Sequence, residues 1–235
     1  MRIDTGQVAV VTGGTSGIGF AIADALVRRG VNVMIADIRE GAIPVAVDAL
    51  AGQPGHAAGV RADVSVDADL DALADETIER FGRVDLVCNN AGVVCEQAPT
   101  WEQRLGTWRW LIDVKLMGVV NGVRTFAPLL IAQGSGHFLN TASAGGLMAL
   151  PTLAPYAATM HAIVGLTETL NAELHSVSTL LGATALCPGM VDTQLGAQFG
   201  ATRSAGCGRD ARRRGWHAAR SDQPRGGGAG RHRSR

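Results

Sequence analysis

Short apolar runs at 8–12, 31–37, 84–89, 138–141 and 184–187, with a weaker one at 56–61, alternate along the chain with stretches of helical periodicity. Within the runs, apolar residues follow one another instead of alternating with polar ones, as in strands covered on both faces. Helical patterns occupy 17–29, 40–50, 66–81, 107–133 and 156–176. The clearest is 66–81, where Leu70, Leu73, Ala74, Thr77, Ile78 and Phe81 form one stripe and Gly82 closes the helix. Strand–helix alternation of this kind predicts a doubly wound parallel sheet with helices on both faces, and such sheets bind ligands at the carboxyl ends of their strands.

Composition divides the chain near residue 200. Its 235 residues suffice for one α/β domain with a sizeable core. Formal charge sums to zero, yet residues 1–200 carry 11 basic and 19 acidic side chains, while 201–235 carry ten Arg against Asp210 and Asp222. The last 35 residues contain no Val, Ile, Leu, Met, Phe or Tyr, so they cannot bury enough apolar area to offset ordering. A domain over 1–200 and a basic, disordered tail over 201–235 are expected. Arg/Gly/Ala-rich text is also what a shifted frame in GC-rich coding yields, and that is the favoured account of the tail; a nucleic-acid-binding arm is the alternative. No apolar run reaches membrane-span length and the N-terminus lacks a signal-peptide core, so a cytoplasmic location is expected. Cys88, Cys95, Cys187 and Cys207 show no metal-ligand spacing and read as reduced thiols.

Thr12-Gly13-Gly14-Thr15-Ser16-Gly17-Ile18-Gly19 stands between the first strand and first helix. Glycines there allow a tight turn and close approach of a pyrophosphate, which rests on the helix N-terminus. Asp37 ends the second strand, where a carboxylate can accept hydrogen bonds from ribose hydroxyls and repels a 2′-phosphate. NAD is therefore expected as cofactor. Arg39 lies close enough to leave NADP open as the less favoured choice.

With these features the sequence resembles the short-chain dehydrogenase/reductase family, over roughly residues 5–195, and the fold this implies is Rossmann-type. Further family marks are Asp63-Val64 after the third strand, Asn89-Asn90-Ala91-Gly92 after the fourth, and Pro188-Gly189-Met190-Val191-Asp192-Thr193 after the sixth. Ser143 and Tyr156 stand 13 residues apart. The resemblance implies cofactor contacts at Gly13, Thr15, Ser16, Gly17, Ile18, Gly19, Asp37, Asp63, Val64, Asn89, Asn90, Ala91, Gly92, Tyr156, Pro188, Gly189, Val191 and Thr193. It implies Tyr156 as acid/base and Ser143 as donor to the oxygen of an alcohol or carbonyl substrate.

The catalytic set departs from the family at two places. A free phenol is only about one part in a thousand ionised at pH 7, so a nearby cation is needed. The family supplies it as the lysine of YxxxK, but four residues beyond Tyr156 stands Met160, and His161 points away from that face. Conversely, the family's helix asparagine is replaced in Ile112-Asp113-Val114-Lys115 by the chain's only lysine. Two readings stay open. Lys115 reaches the vacated space and serves Tyr156, or the chain is a non-catalytic nucleotide-binding remnant. The tail is also expected to lack the family's final strand, exposing a sheet edge near 184–187 and weakening the family's homo-oligomer. Trp101, Trp108 and Trp110 read as packing residues. Leu147, Met148 and Leu153, between the serine and the tyrosine, suggest an apolar substrate.

Overall fold

The computed structural model of the chain describes residues 2–191. Thr193, the tail at 201–235 and the expected loss of a final strand lie outside these residues. The elements run β1 (Val8–Thr12), α1 (Gly17–Val27), β2 (Asn32–Asp37), α2 (Ala42–Ala49), β3 (Ala57–Arg61), α3 (Asp67–Phe81) and β4 (Leu86–Asn89). They continue with α4 (Leu105–Leu111), α5 (Gly118–Gln133), β5 (Gly136–Thr141), α6 (Ala154–Val177) and β6 (Leu181–Leu186). The six strands form one parallel sheet in the order β3-β2-β1-β4-β5-β6. This is the Rossmann-type architecture.

Period-2 side-chain alternation explains why the strands read as apolar throughout. Ala9, Val11, Val33, Ile35, Leu86 and Cys88 face one side, where Ala23, Leu26 and Val27 of α1 and Ala46 of α2 pack on them. Val10, Met34, Val87 and Phe138 face the other, against Leu70 and Leu73 of α3, Phe126 and Leu130 of α5, and Leu170 and Leu174 of α6. Helices α1 and α2 cover one face of the sheet's centre and α3, α5 and α6 the other. α3 has Asp67 and Asp69 in its first turn and Arg80 in its last, matching the helix dipole. It ends at Gly82 with φ +77°, the left-handed cap that glycine adopts without strain.

Two sequence expectations shift. β5 and β6 begin at Gly136 and Leu181, earlier than the apolar runs suggested, because pairing continues through Gly182 and His137. The helical stretch over 105–133 is long and apolar enough to cross a membrane, yet its Leu111, Val119, Phe126 and Leu130 are buried in the fold's own core. It is interrupted by a π-helical turn, Ile112–Met117, in which Lys115 is the buried residue. π-turns are rare and concentrate at functional sites.

The strand order reverses between β1 and β4. Chain connections leave β1 toward β2 and leave β4 toward β5, so a crevice opens at their carboxyl ends.

Candidate active site

A cleft of about 960 Å³ occupies that crevice, within the range of ligand sites. The glycine-rich turn forms its floor. Gly13 (φ +63°) and Gly17 (φ +54°) adopt left-handed backbone, and a Cβ on Gly13 would lie 2.8 Å from the Ala91 Cα. Gly19 is packed equally tightly, since a Cβ there would overlap the Gly13 carbonyl oxygen. The turn is therefore stitched to the loop after β4. Thr12 Oγ1 accepts hydrogen bonds from the N–H groups of Asn90 (2.9 Å) and Ala91 (3.1 Å), and Asn90 Nδ2 donates to the Thr12 carbonyl at 3.1 Å.

Asn89 does something different from its neighbours. It is buried beneath the cleft, where Nδ2 donates to Asn140 Oδ1 (2.9 Å) and Asn140 Nδ2 donates to Thr167 Oγ1 (3.0 Å). Its own Oδ1 has no hydrogen-bond partner among the described residues and lies where a Cβ on Gly122 would fall. This polar ladder joins β4, β5 and α6 and so sets the tyrosine-bearing helix against the sheet.

At the β2 end, Asp37 is 5% exposed. It accepts hydrogen bonds from the Thr15 hydroxyl (2.5 Å), the Arg39 N–H (3.0 Å) and Arg39 Nε (3.2 Å). Burial would raise this carboxyl, but the bonds from Arg39 and Thr15 outweigh it and hold it below the usual carboxylate range. Arg39 Nη2 also donates to Thr15 Oγ1 (2.7 Å) and Ser16 Oγ (2.8 Å). Next along the cleft, Asp63 Oδ1 accepts from the N–H and hydroxyl of Ser65. Val64 is held by α5, with Asn121 Nδ2 donating to its carbonyl at 2.9 Å.

At the opposite end stand Ser143, Tyr156 and Lys115, all lining the cleft. Ser143 Oγ accepts from the Gly145 N–H at 3.1 Å, which leaves its O–H free to donate. Pro188 is tied to the same turn through Ala144 N–H, 2.9 Å from its carbonyl. Tyr156 is half-buried near the start of α6. Lys115 is 4% exposed, and its Nζ lies 5.9 Å from the Tyr156 ring centroid. Gly92 makes room for it: an added Cβ would overlap Nζ and come within 2.7 Å of Cδ. No hydrogen bond or ion pair reaches Nζ from the described residues, and burial pushes the ammonium down to about 8. Met160 is fully buried in an apolar cluster with Val119, Ala142 and Ile163. His161 is exposed and hydrogen-bonded to the Ala157 carbonyl at 2.9 Å, away from the cleft.

The profile of the short chain dehydrogenase family matches residues 7–204. The chain belongs to this family. Cyclohexanol dehydrogenase of Acinetobacter sp. is 34% identical over 193 residues, covering 82% of this chain and 76% of that protein. The 1-deoxy-11-beta-hydroxypentalenate dehydrogenase of Streptomyces avermitilis is 36% identical over 201 residues, covering 85% and 74%. Among solved structures, a short chain dehydrogenase/reductase from Burkholderia phymatum in complex with NAD is similar at 40% identity with a TM-score of 0.82. That match covers 90% of this chain and 75% of the other.

In this short-chain dehydrogenase most residues singled out from the sequence converge on one cleft. Thr15, Gly19 and Asn89 instead support its walls from behind. Trp110, read as packing, is 37% exposed and lines the cleft, and Trp101 is 85% exposed. The sequence around Trp110 gave no sign of this, because which side of α4 meets the cleft is set by tertiary packing. Leu147 and Met148 are exposed.

Proposed function

We propose that the chain is a cytoplasmic, NAD-dependent oxidoreductase interconverting an apolar secondary alcohol and its ketone. Tyr156 acts as acid/base, Ser143 as hydrogen-bond donor and Lys115 as the cation. The observation that carries this reading is the buried Lys115 ammonium 5.9 Å from the ring of Tyr156, in the cleft that also holds Ser143.

The cleft fits a dinucleotide, because Gly13, Ser16, Gly17 and Ile18 line it where α1 begins, and the N–H groups of a helix N-terminus suit a pyrophosphate. Gly13, Ser16, Gly17 and Ile18 would hold the diphosphate, with Thr15 and Gly19 supporting the turn. Asp37 would take the ribose hydroxyls, Asp63 and Val64 the adenine, and Asn90, Ala91, Gly92, Pro188, Gly189 and Val191 the nicotinamide end. NAD is preferred over NADP, since Asp37 is ionised and already engages the guanidinium that a 2′-phosphate would need. When bound, NAD supplies or accepts the hydride.

The protein's part is the proton. In the oxidising direction the Tyr156 phenolate takes the alcohol proton while the Ser143 O–H holds the same oxygen; in reduction the tyrosine returns it. Lys115 helps by placing a buried positive charge beside the tyrosine ring, 5.9 Å from its centroid. This help is nearly full at pH 7, halved near pH 8 and lost above it, as Lys115 gives up its proton.

Met160, sealed in an apolar cluster where the family has its lysine, favours the second reading, a non-catalytic NAD-binding protein. One assay separates them. The full chain is given NAD and a panel of cyclic secondary alcohols, and NADH formation is followed against pH. Turnover that falls in Lys115→Met and further in Tyr156→Phe is expected. NAD binding without turnover, or an unchanged pH profile in Lys115→Met, overturns the catalytic assignment.

A further inference from the structure

Lys115 has a second chemical capacity, distinct from charge. Its Nζ is buried at the cleft wall without an ion-pair or hydrogen-bond partner among the described residues. Its side chain lies along the bare Cα of Gly92, and Val93, Val114 and Ala142 add apolar surface to the same cleft. Two hydroxyl groups, on Ser143 and Tyr156, line the same space. An amine so placed resembles a nucleophile more than a structural cation, for a structural lysine normally has a carboxylate partner.

We propose that Lys115 captures apolar ketones and aldehydes covalently, as an imine formed inside the cleft. The Nζ lone pair attacks the carbonyl carbon, forming the C–N bond while the carbonyl oxygen takes a proton from a cleft hydroxyl. That oxygen takes a second proton and leaves as water, while the nitrogen gives up both of its protons, one restoring the cleft hydroxyl and one balancing the second; the imine results and no oxidant or reductant is consumed. Burial makes the free base available, since an amine titrating at about 8 is half unprotonated at pH 8. An ordinary lysine is then free base at only about one part in three hundred. This capture needs neither cofactor nor hydride transfer, and so goes beyond the dehydrogenase reading without resting on it.

The chain itself makes the test clean, because Lys115 is its only lysine. Every amine adduct falls either there or on the chain's α-amine, which serves as an internal reference. The full-length protein, free of NAD, is incubated at pH 8 with cyclohexanone and sodium cyanoborohydride, which reduces an imine to a stable secondary amine. Intact mass and peptide mapping then give the rate at each amine, in the folded protein and in concentrated urea. In the folded protein Lys115 is expected to be alkylated at least tenfold faster than the α-amine, and the ratio falls at least tenfold on unfolding. Labelling confined to the α-amine, or a Lys115 ratio unchanged or increased by urea, overturns the proposal. Either result leaves hydride transfer untouched, because the reaction contains no nicotinamide.

Discussion

Replacing Lys115 with methionine separates what the lysine does for chemistry from what it does to the fold. Methionine fills a similar volume and carries no charge. Burial pushes the Lys115 ammonium from 10.5 down to about 8. At 1.36 kcal/mol for each tenfold change in proton affinity, the charged side chain opposes folding by roughly 3 kcal/mol at pH 7. Between about pH 8 and 10.5 the unfolded chain still binds a proton that the folded chain has released, so this group makes stability rise with pH across that window. Burial pushes the Cys88 thiol the other way, up to about 12. The folded thiol keeps a proton that the unfolded one loses above about pH 9, which draws stability down from there. Only the difference between wild type and variant isolates the lysine. Urea unfolding should find Lys115→Met more stable by about 3 kcal/mol at pH 7 and by about half that at pH 9.5, with an unchanged denaturant slope. An equal or less stable variant at pH 7, or a gap that does not narrow at pH 9.5, would show that Lys115 is paired or solvated and refute the reasoning.

Two further substitutions probe the walls of the cleft. Gly92→Ala sets a methyl group into the Lys115 side chain, so turnover should fall roughly tenfold or more while NAD affinity, measured by titration, changes far less; equal losses in both would place the damage in the cofactor turn instead. Asp37→Ala frees Arg39 and the Thr15 hydroxyl that now bind the carboxylate. Affinity for NAD should drop about tenfold and that for NADP should improve, and steady-state KM values for both cofactors would expose a preference that does not move.

The strand and helix order, the two-sided cover of the sheet and the family marks were all legible along the chain. They rest on local regularities: period-2 and period-3.6 burial, glycine where the backbone must turn, and motifs a fixed distance past each strand. Asp37, Ser143, Tyr156 and the glycines of the first turn could be named for the same reason. The sequence also posed the central question by setting Met160 where a cation belongs and Lys115 where an asparagine does. It could not answer it. Residues 115 and 156 are 41 positions apart, and their meeting depends on the π-turn that carries Lys115 inward, on the space Gly92 leaves, and on the Asn89–Asn140–Thr167 ladder that fixes α6 against the sheet. The burial that turns an ordinary ammonium into one titrating near 8 likewise exists only once those elements close around it. Desolvation belongs to the packed surroundings of a group, and no stretch of sequence next to Lys115 encodes it.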